Sequence, residues 1–227
     1  MSSFADALRL ILTGDPEVWQ ITGVSLFVSI AALALATAAG VPLGYALAHA
    51  RGAAARLASS LIHTLTALPT VVVGLALYFA LSATGPLGWM DLLYTRMAMI
   101  AGQTILALPI IAALTLVAIQ RLPPAALETA ATLGLPRWAR FRVLVGEAHG
   151  AVISSLLLAF ARVFTELGAA IILGGNIRGE TRTLTTVIAL EHSKGDDARA
   201  MALGVILLAI ALAVNALVHS RWLRGTR

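Results

Sequence analysis

No cysteine occurs in the 227 residues, which excludes disulfides, thiolate metal sites and cysteine nucleophiles. Charge is scarce as well. Only 12% of residues are charged, about half the share of an average soluble domain. Acidic residues are fewer than basic ones, 11 against 16. Histidine is sparse, and no two of His49, His63, His149, His192 and His219 stand four apart, so no helical zinc pair exists. No Gly-x-Ser-x-Gly elbow is present. A glycine-rich loop ending in Gly-Lys-Ser/Thr is missing too, so no nucleotide phosphate cradle is expected. The first residues do not read as a cleaved signal peptide, because Asp6, Arg9, Asp15 and Glu17 interrupt any apolar stretch.

Apolar residues take that room. They make up 59% of the chain, gathered in runs long enough to cross a bilayer, which takes roughly 20 residues each. Five spans are predicted, at 22–48, 57–81, 97–119, 150–173 and 200–220. They place residues 1–21 in a terminal interfacial segment with Trp19 at headgroup level, and 221–227 in a short tail. The fold class is all-α integral membrane. The net charge of +5 belongs to short loops beside the spans rather than to a nucleic-acid surface. With the 121–149 loop cytosolic, nine basic residues (Arg51, Arg56, Arg121, Arg137, Arg140, Arg142, Arg221, Arg224, Arg227) lie inside and six (Arg9, Arg96, Arg178, Arg182, Lys194, Arg199) outside. That bias predicts an external N-terminus and a cytosolic C-terminus.

Prolines and glycines punctuate the spans. Gly40, Pro42 and Gly44 are expected to interrupt the first, Pro69 and Gly74 the second, and Pro109 the third. They serve either helix packing or gating. Arg162 and Glu166 fall within the fourth span, where charge is costly. Four residues apart on a helix they share a face and can pair. Such a pair either orients its helix against neighbours or borders a translocation path. Thr181, Thr183, Thr185 and Thr186 either cap a short helix or hydrogen-bond passing oxygens.

The most informative loop reads Arg121-Leu-Pro-Pro-Ala-Ala-Leu-Glu-Thr-Ala-Ala-Thr-Leu-Gly-Leu-Pro136. Pro124 can start a helix, Gly134 can end it in a left-handed cap, and Pro136 prevents continuation. The helix between them is too short to stand alone in water. Ala126, Ala130 and Ala131 give it a small-residue surface suited to a groove on another protein. Trp138 to Glu147 then forms a basic amphipathic segment leading to the fourth span.

This loop resembles the cytosolic EAA loop of ABC importer permeases. Glu128, Ala130 and Gly134 match its spacing; Thr129 replaces the first alanine, and Leu144-Val145-Gly146-Glu147 lacks the trailing proline. Other segments resemble the oxyanion branch of that family, which serves molybdate, tungstate and sulfate. These are Ala67-Leu-Pro-Thr-Val-Val-Val-Gly74, Ser82-Ala-Thr-Gly-Pro-Leu-Gly88 and Glu166-Leu-Gly-Ala-Ala with Gly174-Gly-Asn-Ile-Arg-Gly179. The run Ile188-Ala-Leu-Glu-His-Ser-Lys-Gly-Asp196 is most like tungstate permeases.

The resemblance implies a type I importer core of five helices, methionine-permease-like, in the cell (inner) membrane. It implies a homodimer, two ATP-binding-cassette subunits and an external substrate-binding protein. This chain would bind no cofactor; ATP and magnesium would sit on the ATPase. Glu128, Thr129, Ala130, Ala131, Gly134, Arg137 and Arg140 would form the ATPase-docking loop. Arg178 and Arg182 would face the binding protein, unless they pair within their own loop with Glu180, Glu191, Asp196 or Asp197. Two other readings stand beside it: a stand-alone secondary transporter or channel, which usually carries an inverted repeat that five spans cannot form, and an intramembrane hydrolase.

Overall fold

A computed structural model describes residues 15–132 and 134–224. The interfacial segment expected at 1–21 lies outside the described residues up to position 14, as does Arg227 of the tail. Among the described residues the chain forms ten α-helices, one short 3-10 turn and no strand. In chain order they are α1 (Pro16–His49), α2 (Ala53–Leu65), α3 (Thr70–Leu81), the 3-10 turn Gly88–Met90, α4 (Arg96–Gln120), α5 (Pro124–Thr132), α6 (Arg137–Glu147), α7 (His149–Phe164), α8 (Gly168–Gly174), α9 (Leu184–Lys194) and α10 (Asp197–Arg224).

Three of these are individually long and apolar enough to cross a membrane: α1, α4 and the first 20 residues of α10. Two bent pairs add to them, α2 with α3 at 100° and α6 with α7 at 77°. Counting each pair as one crossing gives five, the number expected from hydropathy.

α1 and α4 form the spine. The expected interruption of the first span does not occur: α1 runs unbroken through Gly40, Pro42 and Gly44. The glycines instead let the two helices touch. A β-carbon at Gly40 would lie 3.1 Å from Ile111 Cβ, and one at Gly44 would collide with the Ala112 carbonyl oxygen and lie 2.8 Å from Thr115 Cβ. Packing, not a hinge, accounts for both. α4 likewise continues through Pro109. Most of its side chains are buried, with Met99, Ile111 and Ile119 among the largest fully enclosed.

The second and fourth spans are the broken ones. Pro69 caps α3 and cannot continue α2, and the chain turns there. α2 buries only Ile62, which rests on Ala112 and Ala113 of α4. α7 has 16 residues, about 24 Å of helix, which falls short of a hydrocarbon core of about 30 Å. The predicted span 150–173 stops at Phe164 and restarts at Gly168 as α8. Gly74 and Gly102 receive α8, with β-carbon positions 3.0 Å from Ala169 Cα and against Leu173 Cδ1. Large apolar side chains remain exposed around the bundle, including Phe27, Leu35, Val72, Phe79, Leu158, Leu208 and Leu212, as a lipid-facing or partnered protein requires.

Candidate functional site

Two features of the bundle gather the predicted site residues: a short helix at one end and a charged break in the interior. A third cluster, at the opposite ends of α1 and α4, was only partly visible in the sequence.

The short helix is α5. It begins at Pro124, and the Pro123 carbonyl accepts from the Ala126 amide at 3.0 Å. Leu127 and Ala130 turn inward to the main core, alongside Leu144 of α6. Ala125, Glu128, Thr129 and Thr132 are exposed, and their spacing of three, four and seven puts them on one face. The hydroxyls of Thr129 and Thr132 are satisfied within the helix, by Ala125 O at 2.7 Å and Glu128 O at 3.0 Å. That face therefore presents methyls and one carboxylate. Gly134 holds φ +61° with nothing within 4 Å of its β-carbon position, the left-handed cap expected of it.

Two expected docking residues do not face outward. Ala130 is 1% exposed and packs in this chain's own core. Arg140 is half-buried, its Nε enclosed and without a hydrogen-bond partner, and it lines a cavity against the ends of α1 and α4. Helix geometry explains Ala130, since α5 needs one face seated on α6 and only small or apolar side chains fit there, while Arg140 of α6 turns toward the ends of α1 and α4. Arg137 is exposed as expected. Ala131 lies in α5, and its side chain falls outside the described residues.

The interior break brings Arg162 and Glu166 together. Arg162 Nη1 donates to Glu166 Oε2 at 2.7 Å. The pair is not on one continuous helix, because Glu166 lies beyond the end of α7. Its other oxygen accepts from the Ala169 amide at 3.2 Å, so the carboxylate also caps the start of α8, where negative charge is favoured. Its carbonyl accepts from Thr185 Oγ1 of α9 at 2.8 Å. The acid is thus pinned from three sides, with its side chain 3% exposed against 41% for Arg162. A β-carbon on Gly168 would stand 2.9 Å from Val71 Cγ2 and 3.1 Å from Thr70 Oγ1. The starts of α3 and α8, the two helices that follow breaks, therefore abut at the charged pair.

The threonine cluster serves the backbone. Thr183 and Thr186 form a reciprocal capping box at the start of α9. Thr181 accepts from the Ile177 amide at 2.9 Å and donates to the Gly174 carbonyl. With Thr185 on Glu166, all four hydroxyls are engaged in holding loops and helix starts, which is the capping alternative of the sequence.

Arg178 and Arg182 meet a residue from far away in the chain. Glu17, in the first turn of α1, accepts from Arg178 Nη2 at 2.8 Å, Arg182 Nη1 at 3.1 Å and Arg199 Nη2 at 2.7 Å. Arg96 adds a second clasp, donating through Nε to the Glu180 carbonyl at 2.7 Å and through Nη2 to that of Gly179 at 3.1 Å. The 175–183 loop is thereby tied to α1, α4 and α10. Neither Glu17 nor Arg199 was singled out in the sequence. The available signal was a lone acid in the first turn of an apolar helix, beside the capping Asp15.

Comparison with known proteins places this arrangement. Residues 40–222 match the family described as binding-protein-dependent transport system inner membrane component. The chain is 37% identical to the tungstate uptake system permease protein TupB of Peptoclostridium acidaminophilum, over 96% of this chain and 95% of that one. It is 42% identical to a probable anion ABC transporter permease protein of Haloferax volcanii, over 87% and 88%. The molybdenum transport system permease protein ModB of Escherichia coli is 31% identical over 94% and 96%. Among solved structures, a chain of the MetNI methionine ABC transporter superposes with TM-score 0.72 at 17% identity, covering 93% of this chain and 95% of that one. A chain of a bacterial alginate ABC transporter gives 0.77 at 18% identity, over 96% and 83%. At those identities the likeness is one of fold, and it is the fold that the sequence led us to expect.

Proposed function

This chain belongs to the family of binding-protein-dependent transport system inner membrane components, and from that premise we propose that it forms the conduit of an importer for a tetrahedral oxyanion of the tungstate class. Two copies enclose the path. An external binding protein delivers the ion, and two ATPase subunits hold ATP and magnesium and seat α5 of each copy. The chain itself hydrolyses nothing.

The observation that carries this reading is α5. Seated by Leu127 and Ala130, it offers Ala125, Glu128, Thr129 and Thr132 as one exposed stripe. A nine-residue helix is marginal by itself, and its fixed seat makes it a lever: force on the exposed stripe is transmitted to α6 and so to α7, which ends in the Arg162–Glu166 pair. Tungstate is favoured within the class by the likeness to TupB over nearly the full chain. The permease reconstituted with its ATPase and binding protein should accumulate tungstate in an ATP-dependent way, with molybdate and then sulfate as weaker competitors. Sulfate uptake exceeding tungstate uptake would reassign the substrate, and uptake without the ATPase would return the secondary-transporter reading.

The α5 end of the bundle is then cytosolic, the N-terminus external and the C-terminus cytosolic. The absence of cysteine makes this directly measurable. A single cysteine at Arg137 should resist an impermeant thiol reagent applied to intact cells, and one at Asp196 should react. The reverse pattern would invert the topology.

A further inference from the structure

Arg140 lacks an acidic partner among the described residues, as does the exposed Arg51 that shares its cavity, whereas Arg96, Arg162, Arg182 and Arg199 each have one. Arg140 Nε is enclosed and makes no hydrogen bond. A buried charged donor without an acceptor is costly, and the surroundings supply a place for one. Arg140 opens on a cavity of about 340 Å³ that Arg51, His49 and Gln120 also line, with Leu127 of α5 and Leu144 of α6 as its apolar wall. No aspartate or glutamate lines it. His49 spends Nδ1–H on the Tyr45 carbonyl at 2.9 Å, which leaves Nε2 free.

We propose that this cavity is an oxyanion-binding site: Arg140 and Arg51 hold a tetrahedral dianion between the corner where α1 gives way to α2 and the seat of α5. The fit is one of charge, donor number and room. Two guanidiniums offer forked donors that match tetrahedral oxygens better than ammonium groups do, and the Gln120 amide adds a neutral donor. The volume holds such an anion with several waters, each taking about 30 Å³. Because Leu127 and Leu144 form one wall and the α1–α2 corner the other, an occupant bridges the lever helix to the spine. The phosphodiester of a lipid headgroup presents tetrahedral phosphorus with two free oxygens and a single charge, so it can occupy the same forked donors less completely than free sulfate, phosphate or tungstate. The site stands apart from the Arg162 pair and from the arginines on Glu17, and it does not depend on which ion is transported.

The test uses the full-length permease in phosphatidylcholine nanodiscs and radiolabelled sulfate at equilibrium. One saturable site per chain is expected, displaced by phosphate and tungstate but not by chloride. Arg140→Gln and Arg51→Gln should each weaken it at least tenfold. Arg51 is exposed, so its variant folds even where Arg140→Gln does not. In phosphatidylglycerol discs, loss of sulfate binding that Arg51→Gln accompanies with faster exchange of the bound lipid would identify the headgroup as the occupant and still support the site. Absence of saturable binding in phosphatidylcholine together with no preference for phosphatidylglycerol would overturn it, as would unchanged affinity in both variants. Abolition of binding by the docked, nucleotide-free ATPase would put an acidic side chain of that subunit in the cavity and overturn it equally.

Discussion

Arg162→Met should damage the protein more than Glu166→Gln, and the double exchange should be milder than Arg162→Met alone. The burial asymmetry sets the order. Glu166 is enclosed, whereas Arg162 is two-fifths exposed. Removing the arginine leaves a carboxylate in a low-dielectric interior with only the Ala169 amide on it; stranding one member of a buried pair costs about 3–5 kcal/mol. Removing the acid strands a guanidinium that already reaches the surface, and the loss falls toward the value of about 0–1 kcal/mol seen for exposed pairs. Glutamine also keeps an oxygen for the cap of α8. Thermal unfolding of the four proteins in one detergent gives the cycle. Equal, additive losses would show that the two side chains do not act as a pair.

The same asymmetry bears on transport. An arginine exposed at membrane depth is tolerated where it faces water or protein, not hydrocarbon. Its neighbours on the outward side of α7, Ser154, Leu158, Ala161 and Thr165, are exposed too, and most are small. That face suits a conduit wall closed by a second copy.

Much of this was legible in composition and spacing, and the limits are as instructive. Hydropathy found the crossings because burial in lipid demands apolar runs, but it read straight through Thr66–Pro69 and Thr165–Leu167. Apolar residues continue on both sides of those breaks, and a bend leaves the average unchanged. Conversely, Gly40, Pro42 and Gly44 look like a break and are not one. A proline at one position of a long helix loses a single hydrogen bond, which the contact with α4 outweighs. In α5 the start, the stop and the left-handed Gly134 followed from local chemistry. That Ala130 faces inward did not, since it is like Ala126 in sequence and only the position of α6 distinguishes the two. The Glu17 cluster joins residues more than 160 positions apart, and no local pattern encodes such a contact.

The orientation of α5 changes which substitution tests coupling. Ala130→Glu would bury a carboxylate in the seat of the helix, so its failure would report folding. Thr129 is the better probe, because it lies on the exposed stripe and its hydroxyl is satisfied within the helix. Thr129→Trp should leave insertion and dimer formation intact, weaken co-purification of the ATPase, and reduce binding-protein-stimulated ATP hydrolysis at least tenfold, because a bulky ring holds the stripe off its groove. Gly134 tests the same element through the backbone. At φ +61° an L-residue pays about 1–2 kcal/mol, and a β-branched one more, while nothing nearby would clash with the side chain itself. The defect should therefore rank by conformational tolerance rather than by size: Gly134→Asn mild, Gly134→Ala intermediate, Gly134→Val as severe as Thr129→Trp. Ranking by volume instead would mean that the position contacts the partner directly. Full stimulated hydrolysis in both Thr129→Trp and Gly134→Val would remove α5 as the coupling element, and with it the physical ground for an ATP-driven mechanism in this chain.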